Sequence, residues 1–366
     1  MKEEIIDGIR YRLDENNLTA EVIELKDDTQ LDDENIIIPE TVMFNKLSYR
    51  VDSIGAEAFA GSYSLKSVTI PTSVTSIGES AFKNCESLES VVIPDGVTSI
   101  GKSAFNFCFS LTSIVIPDSV KSIEENAFAY CKSLESVVIP DGVTSIGKGA
   151  FENCEKVTSI IIPDNVKSIG NLAFSCCFSL TSIVISDGVT SIGYRAFESC
   201  SSLKSIVIPD YVTVIEKKAF VGCTALTSII VAEGNPIYDS RMNCNAIIET
   251  ATNTLIRGCS QTIIPESITG IGDAAFEGCE SLTSIIIPDG VECIGAEAFR
   301  FCESLKSITI PTCVKSVGSM AFDWCESLFS ITYLGTIAQW KEIKLGSAWR
   351  NGVPAAAVVH CSDGDL

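Results

Sequence analysis

Cysteine is the residue type in this chain of 366 that most invites a chemical role, with 16 copies beside a single histidine. Ten of the cysteines share one register: Cys85, Cys108, Cys131, Cys154, Cys177, Cys200, Cys223, Cys279, Cys302 and Cys325. A zinc site would ask for close pairs such as C-x-x-C, and the chain has none. Nor do the cysteines form the pattern of a secreted disulfide framework. One thiol per fixed interval is instead the mark of a small buried hydrophobe. Cys293 and Cys313 lie near turns and read as exposed thiols. His360 stands next to Cys361, but neighbouring residues on a strand point to opposite faces, so the two cannot act as a pair. The many serines lack a histidine base. Asp95, Asp118, Asp141, Asp164, Asp187, Asp210 and Asp289 recur at one turn position. A file of carboxylates could hold cations, although turn capping is the plainer role. No catalytic residue, metal site or cofactor is expected.

The elements that carry these residues repeat. Ala-Phe pairs place Phe59, Phe82, Phe105, Phe128, Phe151, Phe174, Phe197 and Phe220 at intervals of 23 residues, and the series resumes at Phe276, Phe299 and Phe322. The repeat reads L-x-x-V-x-I-P-D-x-V-T-S-I-G-x-x-A-F-x-x-C-x-S. Residues 90–93 alternate, Val91 and Ile93 inward and Ser90 and Val92 outward, which is a short strand with one buried face. Pro94-Asp95-Gly96 is a turn signal. Val97 and Ile100 supply a second apolar edge. Ala104, Phe105 and Cys108 then return over the core in an irregular or single-turn piece. Twenty-three residues cannot bury a core alone, so each turn must shelter its neighbour.

The period breaks after Leu226, where the next equivalent position comes 33 residues later. Within the insertion, Ala246–Glu249 and Thr254–Arg257 flank a Thr/Asn-rich turn and read as a hairpin. Cys259 falls on the Leu position of the next repeat, a core site. A symmetric hairpin sets Cys244 opposite it, so spacing alone leaves a bridge open. Residues 5–25 look like a hairpin turning at Asp14–Asn17. A first irregular turn uses Ile36, Ile38 and Pro39. Past the last regular strand, at Ile331 and Tyr333, Gln339–Lys344 reads as a short helix, Trp340 and Trp349 as covers of the last rung, and Val358–His360 as a closing strand. The expected organisation is an N-terminal hairpin cap (1–32), a repeat array (33–334) with a hairpin insertion near 232–259, and a C-terminal cap (335–366).

Outward strand positions form columns. One is almost entirely serine; the next is β-branched, with nine successive Val or Ile residues: Val92, Val115, Val138, Ile161, Val184, Val207, Ile230, Ile263 and Ile286. An exposed apolar stripe can mark an interaction surface, though β-branched residues also simply stiffen strands. The candidate binding surface is this stripe together with Phe329 and, from the variable insertion, Tyr238 and Arg241.

A formal net charge of −21 argues against nucleic acid or an anionic membrane as partner. No apolar run approaches the ~20 residues of a membrane span, and the first residues lack the apolar stretch of a secretory signal. The repeat motif, over roughly residues 33–334, resembles the BspA-like leucine-rich-repeat family of host-associated bacteria and some protists. Segments of the insertion and the tail GTIAQWKEIKLGSAW resemble those of gut-commensal members. The resemblance implies an α/β repeat (mostly β): a right-handed leucine-rich-repeat solenoid with a parallel sheet on one face, about 12 turns, capped at both ends. It also implies a non-enzymatic surface or secreted protein that binds host matrix proteins or other cells. The alternative is an intracellular, cytoplasmic interaction scaffold.

Overall fold

A computed structural model describes residues 1–24 and 34–366; the expected boundary at 32–33 lies outside the described residues. The chain forms two compact units, Met1–Phe197 and Glu198–Leu366. Both are mostly β with parallel pairing, and the turns number about 12 over the two.

In the first unit, strands Asn35–Ile37, Ser67–Thr69, Ser90–Val92, Ser113–Val115 and Ser136–Val138 form one parallel sheet, and Ser159–Ile162 pairs with Ser182–Ile185. Register never slips: Ser113 sits beside Ser136 and Val115 beside Val138. A slip by one residue would turn every buried side chain out to water, so the alternation itself enforces the alignment. Each turn contributes a second parallel ladder, built from two-residue strands such as Ser99–Ile100, Ser122–Ile123 and Ser145–Ile146. The sequence shows this only as an apolar edge.

The Ala-Phe segment is a third ladder without strand geometry. The Phe105 amide donates to the Ala127 carbonyl and the Phe128 amide to Ala150, each at 2.8 Å. To aim these amides along the stack, two residues per turn take left-handed backbone. They include the bulky Phe107 (φ 63°), Tyr130 (φ 62°) and Leu172 (φ 58°). Such conformations are strained for bulky side chains, and the hydrogen bonds to the next turn hold them there.

Inside, the Phe rings stack in file. Centroids from Phe59 to Phe197 are 5.1–5.5 Å apart and neighbouring planes lie within 11° of parallel. The register cysteines are buried free thiols. Several carry a polar duty as well: the Cys131 thiol donates to the Phe105 carbonyl at 3.2 Å and Cys154 to Phe128 at 3.3 Å. The weak S–H donor thus meets a buried carbonyl that already accepts one amide. Burial raises these thiols, Cys177 to about 12 and Cys131 well above its ordinary value.

At the N-terminus, Lys2–Ile6, Ile9–Asp14 and Thr19–Val22 form an antiparallel meander, and Thr19–Val22 pairs in parallel with Leu47–Ile54. Thr41–Phe44 folds back on Leu47–Ile54 through Asn45 and Lys46, both at positive φ, as a two-residue hairpin turn requires.

In the second unit, Ser205–Ile208 pairs with Ser228–Val231, and Ser284–Ile286, Ser307–Ile310, Ser330–Tyr333 and Val358–Cys361 form a parallel run. Within this unit Phe276, Phe299 and Phe322 stack at 5.0 and 5.3 Å. The short helix is Ile337–Trp340, starting two residues before the expected Gln339. Thr336 sets the start: its hydroxyl accepts from the Gln339 amide while Gln339 Oε1 accepts from the Thr336 amide. Lys344–Leu345 is instead a strand beside Ser316–Val317. Trp340 packs against Tyr333 at 5.2 Å and Trp349 meets Phe322 edge-on at 6.1 Å.

Candidate binding surfaces

In the first unit, the second ladder and the Ala-Phe turns close the core, so the free side of the first ladder faces solvent. Val138 is 71% exposed while its neighbour Val137 is 7% exposed. Val92, Val115, Ile161 and Val184 are likewise exposed. Ile37, paired with Thr69, belongs to the same column and is 75% exposed. The sequence N-I-I-I-P carries the strand signature that would have placed it there, but the residues before it lack the repeat's leucine. Serines flank the column on one side, and charges such as Glu89 and Glu135 lie beyond them.

In the second unit, Val207 and Ile230 are cross-strand neighbours on the first ladder, and Ile286 neighbours Thr309. All three are exposed, as are Ile263 and Phe329. Ile263 is not on a strand, contrary to its place in the column. Its amide donates to the Cys244 carbonyl, and Thr262 Oγ1 donates to Asn245 O at 2.6 Å. These bonds tie residues 262–263 to the insertion.

The insertion folds as Tyr238–Asp239, a 3-10 turn at Arg241–Asn243, and the antiparallel pair Ala246–Glu249 and Thr254–Gly258. Tyr238 is buried, which corrects its placement on an exposed surface; its phenol oxygen accepts from the Ile215 amide at 3.1 Å. Arg241 is held by side chains of the insertion and of the turn after it. It forks onto Asp239 at 2.5–3.1 Å and reaches Asn253 Oδ1 at 2.9 Å and Ser267 Oγ at 3.3 Å. The Asp239 hydrogen bond raises Arg241 above its ordinary value. Met242, 85% exposed, and to a lesser degree Ile237 are apolar groups the insertion offers to solvent. Cys244 and Cys259 are buried free thiols, so the bridge left open by spacing is not formed.

His360 Nδ1 lies 2.8 Å from Asp365 Oδ1 at the exposed C-terminal strand pair. Among the described residues no cluster of His, Cys, Asp and Glu has a metal-holding arrangement, and no helix is long and apolar enough to cross a membrane.

The model of the BspA type Leucine rich repeat region (6 copies) matches residues 52–177, 121–249 and 254–344. No curated protein matches the chain. Among solved structures, the chain is similar to a leucine rich cell surface protein from Faecalibacterium prausnitzii A2-165. That match has 30% identity over 94% of this chain and 98% of that one, with a TM-score of 0.58. It is also similar to a leucine-rich repeat protein from Bacteroides ovatus ATCC 8483, at 29% identity over 96% and 99% of the two chains and a TM-score of 0.57. The pneumococcal vaccine antigen PcpA, at 18% identity over 96% and 80% with a TM-score of 0.52, shares the fold. With family matches over more than half its length, the chain belongs to the BspA-type leucine-rich-repeat family.

Proposed function

We propose that this protein is a non-enzymatic binding and adhesion module, secreted or displayed at the cell surface, that docks host matrix or cell-surface proteins on the open face of its first ladder. The observation that carries the reading is the column Val92, Val115, Val138, Ile161 and Val184, apolar and exposed on the sheet face, with Ile37 beyond Thr69. Contiguous exposed apolar groups favour a protein partner, and a preformed sheet loses little entropy on binding. The similar Faecalibacterium protein is described as a cell surface protein, which supports the location. The proposed organisation keeps residues 1–32 and 335–366 as end caps of the array.

The test is retention on immobilised host-matrix extract of wild type against a triple variant, Val138→Lys/Ile161→Lys/Val184→Lys. These side chains point to water, so the variant should fold with an unchanged melting profile and lose retention. Equal retention removes the stripe as the binding face. A second reading, an intracellular interaction scaffold, is favoured by the free state of all the cysteines, since unpaired thiols persist in reducing compartments. Fractionation of the source cells decides between the two locations.

A further inference from the structure

One residue beyond the Phe position, the second unit carries a column in which charge alternates: Glu277, Arg300 and Asp323. The ladder bonds place Asn351 next in it. The Gly278 amide donates to Arg300 O, the Phe301 amide to Asp323 O and the Trp324 amide to Asn351 O, each at 2.9 Å. Arg300 stands 3.7 Å from the Glu277 carboxylate and 3.1 Å from that of Asp323. Asp323 is 3% exposed, and its other oxygen accepts from Asn351 Nδ2 at 3.0 Å. At position 351, then, a neutral donor faces a buried carboxylate.

Asn351 is also the one asparagine of the chain that precedes a glycine. Both residues are exposed. Asparagine is thermolabile because the main-chain nitrogen of the next residue can attack its amide carbon. A side chain on that next residue obstructs the approach, and glycine has none. Among the described residues the Gly352 amide donates to no acceptor, while the amides on either side do: Asn351 to Ala348 O at 3.1 Å and Val353 to Arg350 O at 3.3 Å. The attacking nitrogen is thus uncommitted. Gly352 has φ 72°, a conformation that other residues adopt only under strain.

We propose that Asn351–Gly352 is a site of spontaneous deamidation, and that the reaction frees its turn from Asp323. The Gly352 nitrogen forms a bond to Asn351 Cγ. The Cγ–Nδ2 bond breaks, and Nδ2 leaves as ammonia with the proton that Gly352 releases. Water then opens the cyclic imide, and no oxidation state changes. Opening at Cγ leaves an ordinary aspartate; opening at the main-chain carbonyl leaves a β-linked aspartate, whose backbone is longer by a carbon. The ordinary product sets a carboxylate where Nδ2 stood, 3.0 Å from an Asp323 oxygen. A donor is replaced by a like charge, at a site where water screens repulsion poorly. The β-linked product displaces the carbonyl that accepts from the Trp324 amide. The site is on the Ala-Phe ladder, so the inference does not rest on the binding role proposed for the strand face.

The three tryptophans of the chain report on this turn: Trp324 bonds to it, Trp349 is part of it, and Trp340 lies 6.0 Å from Trp349. The test holds the full chain in mildly alkaline, reducing buffer and samples it by peptide mapping with mass spectrometry. Asn351 should convert about tenfold faster than any other asparagine, ~1.4 kcal/mol in activation free energy. Tryptophan emission should shift to the red in step. Asn351→Asp, made directly, should show that shift without ageing, together with a lower urea midpoint. Adding Asp323→Asn should restore both, since an amide at 323 can accept from Arg300 and donate to the new carboxylate. Conversion at Asn351 no faster than elsewhere would overturn the proposal. So would wild-type emission and midpoint in Asn351→Asp, or a double variant no better than the single one. The mapping of the aged wild-type chain stands even where Asn351→Asp fails to fold.

Discussion

Phe128→Ala probes the mutual shelter of the turns. The ring has no exposed surface and lies between Phe105 and Phe151, 5.4 Å from each and within 11° of parallel with both. Truncating a buried Phe destabilises by about 3–5 kcal/mol, more where the site cannot collapse. Here it cannot: the Phe105 and Phe128 amides are pinned to the carbonyls of the following turns, so the flanking rings keep their spacing. The expected loss is therefore about 4–5 kcal/mol. Phe59 is also buried but stacks on Phe82 alone among the described rings. An offset ring pair contributes about 0.5–1.5 kcal/mol beyond burial, so Phe59→Ala should cost roughly 1 kcal/mol less. Urea unfolding followed by far-ultraviolet circular dichroism measures both. A loss below about 1 kcal/mol for Phe128→Ala, within the range of ordinary surface substitutions, would refute stacking as the source of stability. So would a larger loss for Phe59→Ala.

Two further predictions concern titration. Burial raises Cys85 and Cys177 to about 12 from an ordinary value of 9.0, and Cys131 well above it. A raised folded pKa leaves stability intact below the unfolded value and removes it as pH climbs from about 9 towards 12, at about 1.4 kcal/mol per pH unit for each thiol. Denaturant titrations in a reducing buffer should show stability falling above pH 9, less steeply in Cys131→Ala; identical slopes would contradict it. The second concerns Glu277, whose carboxyl is raised above 4.5 chiefly by burial, with Lys218 opposing the shift. The associated stability is present at low pH and lost as pH rises through the folded value. Lys218→Met enlarges that loss, by less than the roughly 3 kcal/mol of a buried pair fully broken on one side, because Arg300 still stands 3.7 Å from the Glu277 carboxylate. The gap between variant and wild type should widen from pH 4 to pH 7 in thermal melts; a gap independent of pH would exclude Glu277 as the group responsible.

The repeat is legible in sequence because identical contacts recur every turn, so identical residues must. Val91 inward and Val92 outward, the Phe file and the buried thiols all follow from that periodicity, and the structure has them so. Elements that repeat weakly or once were harder to read. Two-residue strands such as Ser99–Ile100 are too short to alternate. Phe107 and Tyr130 hide left-handed positions that Asn84 or Gly222 would have announced. Tyr238 looked like a loop aromatic, but its burial depends on contacts from Ile215, 23 residues earlier. Arg257 sits in the hairpin strand Thr254–Gly258 and is buried, yet nothing local distinguishes it from an exposed strand arginine.

The central claim is that each turn seals the apolar side of the next, and counting thiols tests it most directly. Of the sixteen reduced cysteines, twelve are buried, and only Cys176, Cys293, Cys313 and Cys361 have appreciable surface. Titration of the native, reduced protein with a chromogenic disulfide should therefore consume no more than these four quickly, with the remaining twelve reacting only in denaturant. Fast reaction of the Cys85 to Cys325 register in the native protein would contradict the account.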